Sequence, residues 1–299
     1  MKENFCIGES PKIDYVALGP INETAPLIGD KQNQTATGSH YNKNSLQSNA
    51  RSSSGYDAYT PTCLESCCFC VYKRYELNQG QVYVLNEARD ECSILFNKED
   101  EAHRFYVIKL WEKVFPGQEL DPVTLKSDQW KTIGFQNVDP STDFRGGGLM
   151  AARNLLYFTQ NYSDKFERIR KDSHGYLFAA SCVNLTYFIT HYYRISRNSQ
   201  YVEKKKKYAN LKDLHGFSSI LRKNGMDAMH ELHALMAIYM HQVWMVKSRD
   251  PNFNMLRFGE VLDSTKKFMM QLAHESPKSL LELQTKGDFL ISRIPSQMQ

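Results

Sequence analysis

The residues best suited to chemistry stand in a polar stretch that ends in a run of glycines at 146–148. Arg145 precedes this run and follows Asp143 and Phe144. A guanidinium group stays ionised and presents a rigid fork of donors that matches phosphate or carboxylate. Glycine permits backbone angles that are closed to other residues. We expect an irregular loop that presents Arg145, with Phe144 as its apolar anchor and Asp143 as an orienting carboxylate.

Three interpretations of this arginine are open. The spacing Gly146-x-Gly148-x-x-Ala151 matches a dinucleotide-binding pattern, but that pattern requires a preceding β-strand, and turn-forming residues stand there instead. Alternatively, Asp143 and Arg145 form a structural ion pair that holds the loop on the core. In the third interpretation Arg145 enters the active site of a partner. The sequence has no G-x-x-x-x-G-K-[ST] motif, so we expect no intrinsic NTPase site.

Histidines and cysteines form two further clusters. His230, Glu231 and His233, with His241 farther on, resemble a zinc-protease helix, but the HExH spacing lacks the separation of four residues that this motif needs. We therefore predict no metal site.

Cys67, Cys68 and Cys70, close to Cys63, precede an aromatic and basic stretch at 71–75. We interpret them as sites of reversible S-acylation, and the alternative is an ordinary reduced loop.

The elements that must position these residues are helical. Three sets of apolar residues recur at helical spacing, which predicts three amphipathic helices. They are Phe105, Ile108, Trp111 and Phe115; Leu155, Phe158, Tyr162, Phe166 and Ile169; and Met229, Leu232, Met236, Tyr239, Val243 and Val246. The stretch from Tyr176 to Tyr193 is apolar nearly all round, as in a central buried helix, and a last helix is predicted from Phe253 to Ala273. No convincing alternating strand is found, so the predicted fold class is all-α.

Composition sets the outer limits. The chain has 299 residues, of which 41% are hydrophobic, and this share excludes a wholly disordered protein. Its net charge of +4 is too small for a general nucleic-acid-binding surface. Residues 1–60 are polar and read as a disordered tail. There is no membrane-spanning apolar run, no basic region leading into an apolar leader, and no glycine after Met1. We expect a cytoplasmic protein, with peripheral membrane contact as an alternative.

A resemblance narrows these interpretations. It is carried by residues at fixed spacing: Trp130, Gly134, Phe135, Gln136, Pro140, Thr142, Asp143, Phe144, Arg145, Gly146, Gly148, Asn154 and Leu155. This run closely resembles the motif of the ELMO (engulfment and cell motility) domain family. One position departs from it, because Ala152 stands where the family usually has leucine. We expect this difference to change packing more than chemistry.

The resemblance implies an all-helical ELMO domain over 81–276. We assign the Cys-rich basic and aromatic segment to 61–80 and a C-terminal tail to 277–299. In the small members of the family the implied activity is GTPase activation on Arf and Arf-like GTPases. Their catalytic arginine corresponds to Arg145, and the other motif residues would bind the partner or orient the loop. GTP and Mg²⁺ would belong to the GTPase, so no cofactor is expected in this chain.

The role of Gln136 stays open within this resemblance. Gln136 either contacts the partner or its attacking water, or belongs to a packed turn. Trp130 and Phe135 are expected to be core anchors.

The alternative function is a non-catalytic adaptor, like the large family members that bind exchange factors for Rac-type GTPases. A degenerate domain without partner activity is a third alternative.

Overall fold

The computed structural model describes residues 74–172, 175–196 and 208–294. Nine α-helices lie within these ranges, with short 3₁₀ turns in two of the connections, and no strand occurs among the described residues. The helices are α1 (Gln79–Cys92), α2 (Glu101–Val114), α3 (Gly148–Asn161), α4 (Ser163–Asp172), α5 (Phe178–Tyr192), α6 (Leu211–Asn224), α7 (Asp227–Lys247), α8 (Phe258–His274) and α9 (Leu280–Ser292). The all-α prediction is confirmed.

Helix α7 forms the centre of the domain. Helices α3, α5, α6, α8 and α9 all pack against it. Its buried residues cover nearly its whole circumference, so it is surrounded by other helices as a central helix must be. The predicted apolar set from Met229 to Val246 falls within α7, with Tyr239 and Val246 half-buried at its edge.

Local sequence explains where helices begin. Asn78 caps α1 by accepting a hydrogen bond from the backbone of Gln81, whose side chain bonds back to Asn78 N–H. Asn210 and Asp213 form the same reciprocal cap on α6. Such caps satisfy backbone donors that the first helical turn leaves unpaired.

Two periodicity predictions need correction. On the predicted face of α2, Trp111 and Phe115 are buried and Ile108 packs against the core, whereas Phe105 is exposed. Val107, Leu110 and Val114 are also buried, so the core face is broader than predicted and leaves out Phe105. The single helix face predicted from Leu155 to Ile169 is divided between α3 and α4, which meet at Tyr162.

The predicted C-terminal boundaries also differ. The last predicted helix, Phe253–Ala273, begins later, at Phe258, after a 3₁₀ turn at Met255–Arg257. The proposed tail at 277–299 contains α9, capped by Ser279 and packed on α7 and α8. Leu283, Gly287 and Ile291 of α9 are buried, so this segment belongs to the helical domain.

Several predictions lie outside the described residues. These are the disordered tail at 1–60, most of the 61–80 segment, and the acylation sites Cys67, Cys68 and Cys70. Among the described residues, no helix combines the length and apolar character needed to cross a membrane.

Candidate functional site

The arginine loop (residues 128–148) rests on a cluster of aromatic rings. Phe144 is fully buried, and its ring centroid lies 5.7 Å from Phe135 and 5.0 Å from Phe96. Phe135 in turn lies 5.3 Å from Trp130, whose indole N–H donates to the carbonyl of Leu125 at 2.9 Å. These edge-to-face and tilted contacts fix the base of the loop. Trp130 and Phe135 are core anchors, as expected.

Gly134 joins the loop to α5. Its backbone is left-handed, with φ of 88°, and a Cβ built on it would overlap the backbone nitrogen of Phe178. Its carbonyl accepts a hydrogen bond from Ala180 N–H at 3.0 Å. Both the conformation and the close approach therefore require glycine here.

A compact polar turn follows. The Asp139 side chain accepts from the backbone N–H of Ser141 at 3.0 Å, and Pro140 is buried at the first position of the turn. The Thr142 hydroxyl donates to the Asp139 carbonyl at 2.9 Å. The backbone at Thr142 is thereby fixed from within the turn.

Asp143 accepts a hydrogen bond from an earlier segment of the loop and forms no hydrogen bond with the arginine. Its Oδ2 accepts the backbone N–H of Gln136 at 2.8 Å. Partial burial raises the pKa of Asp143, while the bond from Gln136 and the positive charge of Arg145 act in the opposite direction. The Gln136 side chain itself is exposed. The turn 134–136 is therefore packed against the domain at Gly134 and Phe135, and its last side chain faces solvent.

Arg145 is exposed one residue after the buried Phe144. Its Nε donates to the Thr142 carbonyl at 2.9 Å. Among the described residues no carboxylate lies within 4.0 Å of its guanidinium, so the expected ion pair with Asp143 is not formed. Its two terminal nitrogens have no hydrogen-bond partner within the same part of the chain. The guanidinium is thus oriented at one nitrogen and free at two.

The glycine run turns the loop into α3. Gly148 has a φ of 63°, and a Cβ on it would overlap the carbonyl oxygen of Ile94, which accepts from Leu149 N–H at 2.9 Å. A Cβ on Gly147 would lie 2.8 Å from that of Ala151. The segment before this run consists of 3₁₀ turns, so the dinucleotide-binding interpretation lacks its β-strand.

Asn154 is a buried structural residue of α3. Its Nδ2 donates to the Thr186 hydroxyl at 2.9 Å, and its Oδ1 lies 2.6 Å from Nδ1 of His230. It therefore connects α3 with α5 and α7. Ala152 is also fully buried, as its packing role requires.

The histidines of α7 bond to separate partners. Nε2 of His233 lies 2.9 Å from the Cys182 carbonyl, and Nδ1 of His241 lies 3.0 Å from the Tyr176 hydroxyl. Burial lowers the pKa of His230 to about 3 and those of His233 and His241 to about 4. The described residues contain no group of three or more His, Cys, Asp or Glu arranged to hold a metal ion.

Sequence reasoning missed a buried carboxylate on the same helix. Glu231 is 1% exposed and accepts hydrogen bonds from the hydroxyls of Tyr157 and Tyr162. Burial and the Glu231 charge raise the pKa of Tyr162. Helical spacing marked Tyr162 as apolar core, and periodicity alone gives no sign of this buried polar contact.

A comparison with protein families decides the identity. The family model for the ELMO/CED-12 family matches residues 86–262, which include the whole arginine loop. The chain belongs to the ELMO/CED-12 family. The ELMO match extends from within α1 into α8, so α9 lies beyond it.

Individual relatives agree. ELMO domain-containing protein A of Dictyostelium discoideum is 40% identical over 94 residues, covering 30% of this chain and 9% of the relative. ELMO domain-containing protein C of the same organism is 27% identical over 202 residues, covering 68% of this chain and 31% of the relative. Human ELMO domain-containing protein 2 is 37% identical over 95 residues, covering 30% and 32%. The chain thus spans a third or less of these relatives.

Proposed function

We propose that this ELMO domain activates GTP hydrolysis by an Arf or Arf-like GTPase and supplies Arg145 in trans. The observation that supports this proposal is that the guanidinium of Arg145 is exposed while the segment that carries it is held in place. The neighbouring Phe144 is buried in the aromatic cluster, and Nε is held by the Thr142 carbonyl. The two remaining nitrogens are available to a partner. The choice of an Arf-family partner follows from the motif resemblance.

The physical role of such an arginine is electrostatic. Negative charge shifts among the phosphoryl oxygens as GTP is hydrolysed, and an arginine from a second protein stabilises that charge. The increase in rate is about 10³-fold to 10⁵-fold, or roughly 4 to 7 kcal/mol of transition-state stabilisation. A prepositioned guanidinium loses little side-chain freedom on docking, which favours this use.

Gln136 is the second group offered to the partner. Its side chain is exposed, while its backbone N–H is bound to Asp143. We propose that it contacts the GTPase surface beside Arg145. GTP and Mg²⁺ remain with the GTPase in this scheme.

The test is single-turnover hydrolysis of GTP preloaded on a panel of Arf, Arf-like and Rac-type GTPases. We expect acceleration on an Arf-family member, which falls by about 10³-fold or more in Arg145→Ala. Arg145→Lys should also lose most of the stimulation, because lysine is a point charge without the guanidinium fork.

Arg222→Ala is a matched control. Arg222 is exposed and lies beside Gly80 at the start of α1, whereas Gly148 contacts Ile94 beyond the end of that helix, about 20 Å away along its axis. It should keep full stimulation. Activity that survives Arg145→Ala would place the catalytic group elsewhere. Binding without acceleration by the wild type would support the adaptor alternative.

A further inference from the structure

We infer that Gly146 is a close-contact point for the GTPase, flanked by Leu95 and Tyr187 as apolar contacts. This inference rests on the proposed function and names the docking surface around its arginine. The docking surface is defined here as Leu95, Arg145, Gly146 and Tyr187. It predicts a partner with an apolar surface next to its anionic phosphate site.

Nothing in the part of the chain that the structure describes explains the glycine at position 146. Its backbone is not left-handed, and a Cβ on it would lie 3.6 Å from Val183 Cγ1, an ordinary contact distance. By contrast, Gly134, Gly147 and Gly148 are each required by a close contact or a positive φ. Because glycine loses more conformational freedom on folding than alanine does, alanine would suit this turn better. We therefore attribute this glycine to contact with the partner.

The position of Gly146 supplies that explanation. It is exposed and directly follows Arg145. An arginine that must reach a phosphoryl group inside another protein requires its own backbone to approach that protein closely, and small misplacements reduce the rate strongly. A missing Cβ beside the arginine permits this approach.

Exposed apolar side chains stand on two sides of the glycine run. Leu95 is 75% exposed, and its Cα lies 3.8 Å from the position of a Cβ on Gly148. Tyr187 is 43% exposed and follows Thr186, whose Cβ lies 3.3 Å from the position of a Cβ on Gly147. Exposed apolar groups next to a loop that carries an exposed arginine are typical of a protein contact.

The charge pattern favours a protein over a lipid surface. Within residues 142–149 the charged side chains are Asp143 and Arg145 alone. A membrane surface is recognised by several basic residues together, whereas one arginine between apolar groups fits one anionic pocket in a protein. The partner is therefore the GTPase that receives Arg145.

The test combines stimulation with stability. Gly146→Ala should lower stimulation, measured as the rate per unit concentration of the full chain, by about tenfold or more, while the Tm stays unchanged or rises. Gly259→Ala is the control, because Gly259 is exposed at the start of α8 with no atom within 4 Å of a built Cβ. It should leave both quantities unchanged or raise the Tm only.

The flanking residues are tested by affinity. Leu95→Ala and Tyr187→Ala should each raise the Kd for the GTP-bound GTPase about three-fold to tenfold, and the maximal rate at saturation should stay the same. Leu281→Ala is the control for Leu95, because Leu281 on α9 is 72% exposed. It should not change the Kd.

The outcomes separate this inference from the proposed function. If the wild type accelerates hydrolysis and Gly146→Ala does so equally well, the docking surface is wrong and the proposed function stands. If the wild type binds a GTPase without accelerating it, the proposed function fails. In that case weaker binding by Gly146→Ala and Leu95→Ala supports the docking surface. If the wild type binds no GTPase, both are overturned.

Discussion

The arginine loop and the histidines of α7 contain the residues that look most chemical in this chain, yet the fold treats them in opposite ways. Arg145 is exposed and has two nitrogens without a partner among the described residues. His230, His233 and His241 each bond to a different internal group, and burial lowers their pKa values. Residue type alone therefore does not identify a site. Accessibility of the reactive group separates the functional candidate from the structural one.

The largest expected effect is on the base of the loop. Gly134→Ala places a Cβ against the Phe178 backbone at a positive φ, and we expect a loss of about 4 kcal/mol in the free energy of unfolding. Gly117→Ala is the control, because Gly117 has a φ of 76° but open space around it. That change should cost about 1 kcal/mol. Equal losses in denaturant titrations would show that the loop is not fixed on α5.

Lowering the pH should reduce the stability of the domain first through the buried histidines of α7 and only later through the arginine loop. A histidine kept neutral in the fold has a lower pKa than the value of about 6.5 in the unfolded chain, so the unfolded state takes up protons first as the pH falls. Stability is then lost between about pH 6.5 and 4 for His233 and His241, and down to about pH 3 for His230, by about 1 kcal/mol per histidine at pH 5.5. The Tm should therefore fall between pH 7.5 and 5.5. An unchanged Tm would mean that these imidazoles are not buried neutral.

Asn154 connects α3, the helix that follows the arginine loop, with His230 of α7. Asn154→Ala removes its bonds to Thr186 and His230 and leaves buried polar atoms unpaired, at a cost of about 2 kcal/mol. Stimulation per folded molecule should persist, because Asn154 is fully buried. Asn137→Ala, at an exposed position of the loop, should cost less than about 0.5 kcal/mol. Lost stimulation with unchanged stability would move Asn154 into the partner interface.

The smallest effect concerns Asp143. Asp143→Asn keeps an oxygen that accepts from Gln136 N–H and removes a charge whose burial is unfavourable, so stability should change by less than about 1 kcal/mol. Stimulation should stay within about twofold, because Arg145 is held by the Thr142 carbonyl. A loss as large as that of Arg145→Ala would restore the carboxylate as the orienting group.

Sequence predicted the helical class, the loop and the roles of Phe144, Trp130 and Phe135, because aromatic residues next to turn formers have few alternatives to packing inward. It did not predict that Phe105 faces outward, since periodicity identifies a face only to within one helical step. The sequence also did not predict the hydrogen-bond partners of Asp143, Asn154 and Glu231. Those bonds depend on distant elements that meet only in the folded chain.

The most direct test of the central claim compares two states of one GTPase. Arg145 should matter little for binding to the GTP form and greatly for binding to the GDP form with aluminium fluoride, which mimics the transferring phosphoryl group. We predict that Arg145→Ala raises the Kd for the second state about 100-fold or more, and that for the first state less than about threefold. Equal Kd changes in the two states would contradict an arginine that acts on the transition state.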